Sequence, residues 1–186
     1  MQTTSLPMAD YSQLDDSTLA RDASRNADAF TELYRRYVTP LYRYLYHRLG
    51  NEKDAEDLTA QVFMDALEGL PSYRERGRFS SWLFTIARRR LTDLYRQRPT
   101  SLLADELPDD AFDLQSVLEK NENHARLNQL LDELEDDRRE LLQLRFAAGL
   151  EFPEIASVLG KSEGAVKMTL YRTLDWLKAN WEVSHE

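Results

Sequence analysis

Apolar residues in this chain recur at intervals of three and four, and that spacing confines it to helices. Phe30, Leu33, Tyr34, Tyr37, Val38, Leu41 and Leu45 share one stripe of a 3.6-residue repeat. Pro40 falls inside the stripe. It lacks a donor N–H and crowds the preceding turn, so a kink or break is expected near Val38–Thr39. Asn51 can cap a second helix, with Asp54 in the first turn where the helix dipole favours an acid. There Ala55, Leu58, Val62, Phe63 and Ala66 form the buried side, Asp54, Asp57, Gln61, Asp65 and Glu68 line a separate polar face, and Gly69 and Pro71 end the helix. A third helix begins at Ser80 or Ser81, carries Trp82, Leu83, Ile86, Ala87 and Leu94 as its stripe, and stops at Pro99. No strand-like alternation competes, so the fold class is all-α.

Periodicity fades from Thr100 to about Asn123, where Asp105, Glu106, Asp109, Asp110 and Asp113 cluster around Pro108. This reads as an acidic linker with a short helix over 114–120, or as plain solvated chain. Beyond it Leu127, Leu130, Leu131 and Leu134 make one stripe, and Leu141, Leu144 and Ala148 make the next, closed by Gly149. The segment FPEIASVLGKSEGAVKMTLYRTLDWLK follows. Pro153 suits the first turn of a helix that stops at Gly160, and Ser162 can cap its successor. Ala156, Gly160 and Val166 stand where a helix-turn-helix needs a small residue at the crossing, a glycine in the turn and an inward apolar side chain. A tight αα-hairpin of another kind is the alternative. The chain thus divides into a tail (1–16), a helical domain (17–98), an acidic linker (99–125) and a helix-turn-helix domain (126–186).

Charge is unevenly distributed. The chain carries a net −9, yet residues 71–98 hold eight basic and two acidic residues, and residues 99–140 hold four basic and thirteen acidic ones. The basic segment includes GRFSSWLFTIARRRLTDLYR, which interleaves arginines with Phe79, Trp82, Phe84 and Tyr95. Cations beside aromatic rings suit an opened nucleic-acid strand: the rings stack on bases and the cations follow phosphates. With no cysteine and three scattered histidines, the sequence offers no thiolate, no disulfide and no metal-ligand spacing. It has no phosphate-cradling glycine loop and no nucleophile–base pairing, so no enzymatic activity, cofactor or metal is expected. Neither a signal peptide nor an apolar run of membrane-spanning length is present, which points to a cytoplasmic protein without membrane insertion.

Taken together, DAEDLTAQVFMDAL, RFSSWLFTIARRRLTDLYR, an acidic linker and LEFPEIASVLGKSEGAVKMTLYRTL resemble the extracytoplasmic-function group of bacterial sigma factors, from about Asp28 to Leu177. The resemblance implies a protein that binds core RNA polymerase, recognises and melts promoter DNA, and directs transcription initiation. It places the polymerase contact at Asp54, Glu56, Asp57, Leu58, Gln61, Val62 and Phe63. Between Asp54 and Glu68 there are five acids and no base, a face suited to a basic partner with an apolar seam. It puts a flipped base of the minus-ten element against Tyr73, Phe84 and Ile86, with Arg89 close by, and the strand backbone along Arg88, Thr92, Tyr95 and Arg96. Trp82 reads as mainly structural, whereas Phe84 lies off the apolar stripe. Similar proteins commonly carry asparagine where Arg89 stands, and arginine favours a phosphate or guanine contact instead.

The second helix of the helix-turn-helix would carry Ser162, Lys167, Met168, Thr169, Tyr171 and Arg172 to the minus-thirty-five element in the major groove. Residues 162–178 net only +1, so this domain alone should bind DNA weakly. That suits a subunit which borrows affinity from polymerase. Many similar proteins are held by an anti-sigma factor, which makes one a candidate partner. A stand-alone helix-turn-helix regulator and a helical protein–protein adaptor are the competing readings. The first has no use for the acidic helix or the arginine block, and the second would bind polymerase without directing transcription.

Overall fold

A computed structural model describes residues 11–73, 78–97, 123 and 125–182, and every regular element among them is helical. The helices are α1 (Asp16–Ala23), α2 (Ala27–Leu49), α3 (Glu52–Gly69), α4 (Phe79–Gln97), α5 (125–132), α6 (Asp136–Leu142), α7 (Phe152–Leu159) and α8 (Glu163–Glu182). Pro99 and the expected helix over 114–120 lie outside the described residues.

Local chemistry explains most boundaries. The Asp15 side chain accepts the Ser17 and Thr18 N–H groups at the start of α1, and Asn51 accepts from Asp54 N–H at the start of α3. Helix α2 ends at Gly50, whose φ of 65° is costly for any residue with a Cβ. Of the kink or break expected near Val38–Thr39, the break does not occur: α2 runs from Ala27 to Leu49 with Pro40 inside it. Leu33 lies before the proline and Leu41, Tyr44 and Leu45 after it, all fully buried. Tertiary packing on both sides thus outweighs a local penalty of about 3 kcal/mol. Helix α1 was not foreseen in the sequence. Its Asp16 holds it to α2 by accepting from Arg36 (2.8 Å) and from the Tyr37 hydroxyl.

Helices α1 to α4 enclose Leu19, Leu33, Leu45, Val62, Leu83 and Phe84, all fully buried or nearly so. Gly69 lets α4 approach, since a Cβ there would stand 2.9 Å from the Trp82 ring. In the second half a π-helical turn (Gln143–Ala147) follows α6, and Gly149, with φ 71°, turns the chain toward α7. Glu151 and Glu154 form a reciprocal capping box at the start of α7, with Pro153 in the first turn. Gly160 closes α7 at φ 63°, and Ser162 Oγ accepts Ala165 N–H at the start of α8. Ala156 and Val166 are buried where α7 and α8 meet, which completes a helix-turn-helix. The buried apolar residues of both halves form one contiguous cluster, so the halves pack on each other as well as within themselves.

Candidate nucleic-acid and protein interfaces

Helix α3 has two distinct sides. Glu56, Asp57 and Gln61 are exposed and Asp54 is half-exposed. Leu58, Val62 and Phe63, three of the seven expected contact residues, point the other way and are 5%, 0% and 4% exposed. Their apolar character serves the core, and this corrects the expectation that they face a partner. The apolar surface beside the acids is supplied instead by Met64 and Leu67, with Tyr34 of α2 packed on Phe63 at 4.7 Å between ring centroids. Asp65 leaves the free acidic face altogether: Arg90 of α4 bonds both its oxygens and holds its carboxyl below the usual range.

The basic block is also divided. Phe84 is fully buried, its ring 5.5 Å from that of Tyr44, so it is not an open platform for a base. The sequence phase was misleading because α4 is covered on two sides. Phe79, Leu83, Phe84, Ala87 and Leu91 are buried, while Trp82, Ile86 and Leu94 are only partly so. Tyr73 is half-buried, with its ring 4.8 Å from Trp82 and 6.1 Å from Phe79. Arg89 is exposed, and among the described residues no ion pair takes it. Arg88, Thr92, Tyr95 and Arg96 do come together, in a cleft of about 360 Å³. The opposite wall of that cleft belongs to the second half: Asp136, Asp137 and Glu140 of α6.

Those wall residues, with the acids at the start of α7, were not foreseen as functional. Glu140 is 4% exposed. It accepts from Arg88 Nε at 3.0 and 3.2 Å and from the Tyr44 hydroxyl at 3.0 Å. Burial, then the Glu140 charge, pushes the Tyr44 hydroxyl well above its ordinary value, so it stays a donor. The Glu140 hydrogen bond raises the Arg88 pKa in turn. Arg48 bonds Asp136 at 2.8 and 3.2 Å and holds its carboxyl below the usual range. Arg78 meets Glu151 at 2.5 Å, and the Ser80 hydroxyl donates to Glu154. The one sequence signal for the Arg88–Glu140 contact was the excess of base in 71–98 beside the excess of acid in 99–140.

The helix-turn-helix face is open by contrast. Ser162, Lys167, Met168, Tyr171 and Arg172 are exposed and Thr169 is half-buried, with Met168 and Tyr171 at 54% and 59% exposure. Lys167 bridges to Glu163 at 2.6 Å and sits over the Phe152 ring at 5.3 Å, which fixes its stem while its charge faces water. Among the described residues no group of three or more potential metal ligands gathers, and no helix is long and apolar enough to cross a membrane.

Residues 33–99 match the family described as Sigma-70 region 2, and residues 124–177 match Sigma-70, region 4. Over 161 residues the chain is 37% identical to the ECF RNA polymerase sigma factor BldN of Streptomyces coelicolor, covering 83% of this chain and 61% of that relative's length. It is 32% identical to the RNA polymerase sigma factor YlaC of Bacillus subtilis over 87% of this chain and 97% of the relative. Among solved structures, CnrH in complex with the cytosolic domain of CnrY superposes with a TM-score of 0.68 at 27% identity, covering 90% of this chain and 97% of that one.

Proposed function

Because the chain belongs to the extracytoplasmic-function sigma factors, the non-enzymatic subunits that direct RNA polymerase to promoter DNA and start transcription, we propose how its faces divide that work. The exposed acids Asp54, Glu56 and Asp57, with Gln61, dock on a basic surface of the core enzyme. Met64, Leu67 and Tyr34 give the apolar seam that a stable interface needs beside its charges. Phosphates of the opened strand run along Arg88, Thr92, Tyr95 and Arg96. Tyr73 and Ile86 receive a flipped base, Arg89 contacts that base or its phosphate, and Phe84 supports the pocket from below. Stacking contributes about 1–3 kcal/mol per base, comparable to the unstacking it offsets. The α8 face carrying Lys167, Met168, Thr169, Tyr171 and Arg172, with Ser162 at its start, reads the minus-thirty-five duplex.

The observation that carries this reading is the gathering of Arg88, Thr92, Tyr95 and Arg96 in one cleft, on the half that matches region 2. The division at 17–98, 99–125 and 126–186 assigns the first domain to polymerase and the melted strand, and the last to duplex. The work is cytoplasmic, where polymerase and promoter are. An anti-sigma factor is the proposed regulator, supported by CnrH having been solved with the cytosolic domain of CnrY. Run-off transcription with core RNA polymerase on a genomic promoter library tests the assignment. Arg88→Ala with Arg96→Ala is expected to abolish transcripts from duplex templates while polymerase binding persists. Undiminished transcription from that variant would remove the strand from this cleft.

A further inference from the structure

The leading turns of α8 present a smooth, apolar outer face. Val166, Leu170 and Thr173 turn inward and are buried, which leaves Gly164, Met168, Tyr171, Arg172 and Asp175 on the outside. Met168 stands at the middle of that face, more than half exposed, one turn after Gly164. Ala165 lies exposed beside them. The nearest charge is tied to the protein itself: Lys167 bridges to Glu163, and its ammonium sits over the Phe152 ring. Arg172 follows one turn after Met168, and among the described residues no ion pair takes it.

Gly164 argues that this face receives something. Its backbone is helical, not left-handed, and a Cβ placed there would meet nothing within 4 Å. Neither conformation nor packing among the described residues calls for glycine, which widens the freedom of the unfolded chain and costs helix stability. At Gly69, by contrast, a Cβ would stand 2.9 Å from the Trp82 ring. What remains for Gly164 is a surface from outside that comes close to the front of α8. A recognition helix enters the major groove by its N-terminal residues, so the groove floor is such a surface. On that floor the thymine C5 methyl is the apolar group a base pair presents. Met168, unbranched and polarisable, packs on such methyls without demanding one fixed geometry. A lysine or arginine at the same point would seek guanine, and an asparagine or glutamine would seek adenine.

We infer that Met168 selects A·T pairs in the minus-thirty-five element by contact with thymine methyls, and that Gly164 lets α8 sit deep enough to make that contact. This rests on reading α8 as the helix that enters the duplex. Methyl contact carries no charge, so it adds specificity where residues 162–178, at net +1, neutralise few phosphates. Arg172, one turn further along, keeps its charge for a guanine edge or a phosphate.

The test uses the full chain with core RNA polymerase on a duplex promoter recovered from the run-off library. Deoxyuridine replaces each thymine of the minus-thirty-five segment in turn, which removes the methyl and leaves the hydrogen-bonding edge intact. At one or two positions the unmodified protein should lose about fourfold in affinity, the worth of one buried methyl. Met168→Ala should bind the thymine duplex that much less tightly and become indifferent to uridine at the same positions. Gly164→Ala should keep or raise the thermal midpoint, yet weaken duplex binding by about fivefold or more. Undiminished binding by Gly164→Ala removes the deep seat. Uridine without effect at every position, while Arg172→Ala weakens binding, overturns methyl reading and leaves α8 in the groove. A recovered minus-thirty-five motif that lacks an A·T pair does the same. If Arg172→Ala, Tyr171→Ala and the uridines are all silent, α8 does not read the duplex, and the inference falls with that reading. A Met168→Ala chain that no longer co-purifies with core enzyme would assign the apolar face to a protein partner and overturn the inference.

Discussion

Two sets of carboxylates in this chain have the same chemistry and opposite surroundings. On α3, Glu56 and Asp57 stand in water, and among the described residues no ion pair takes them. On α6 and α7, Asp136, Glu140, Glu151 and Glu154 each meet an arginine or hydroxyl of the other half. A net charge of −9 describes neither set. The outward acids stay solvated without a partner, so they remain available to one. The inward acids are already partnered, so any competitor must displace an arginine contact first. The difference teaches that an acidic run on one helix and an acidic run on another are not interchangeable signals of function.

The strongest test of that division reverses the outward set. Glu56→Lys with Asp57→Lys is expected to abolish co-purification with core RNA polymerase while leaving the helical circular dichroism signal intact, because both side chains are exposed. If polymerase binding survives, the outward acids are merely a solvated face, and the contrast with the inward set loses its functional meaning.

A second test approaches the inward set from beneath. Phe84 supports Tyr44, whose hydroxyl reaches Glu140. Phe84→Ala is expected to destabilise the protein by about 3–5 kcal/mol, read as a lowered thermal midpoint. Transcription should then fall equally on duplex and pre-melted templates. Tyr73→Ala, at the rim of the Trp82–Phe79 cluster, should impair the duplex template far more than the pre-melted one. The reverse outcome would return Phe84 to the base-binding role that its position in the sequence suggested.

Phe84 also shows where sequence reading stops. Caps and turns are local, so Asn51, Gly69, Pro153, Gly160 and Ser162 marked their boundaries from composition alone. The helix-turn-helix and the family resemblance followed from those marks. The phase of α4 was not local. Its stripe was read as if one neighbour covered it, but Leu83 and Phe84 are buried together because the first bundle lies on one side and α6–α7 on the other. The same holds at Pro40, where long-range packing keeps α2 whole, and at Leu58, Val62 and Phe63, whose motif positions pointed to a partner while their packing points to the core. Pairing between segments separated by fifty or more residues, such as Arg88 with Glu140, left only the opposed charge of two segments as a trace.

The smallest expected effect is a pH dependence within the inward set. Arg48 holds the Asp136 carboxyl below its ordinary value of 3.8. A carboxyl depressed by folding binds its proton more readily when the contact is broken, so its contribution is complete above 3.8 and fades as pH falls through the depressed value. Asp136 is exposed, so the pair is worth at most about 1 kcal/mol. Acid unfolding followed by circular dichroism should therefore show a shallow phase of lost stability below the ordinary carboxylate range. Asp136→Asn should remove that phase and leave the rest of the titration in place. Asp57 of α3, exposed and with no ion pair among the described residues, supplies the control: Asp57→Asn should leave the curve unchanged. A curve equally altered by both substitutions would mean that total charge, rather than the docked pair, governs how the two halves meet.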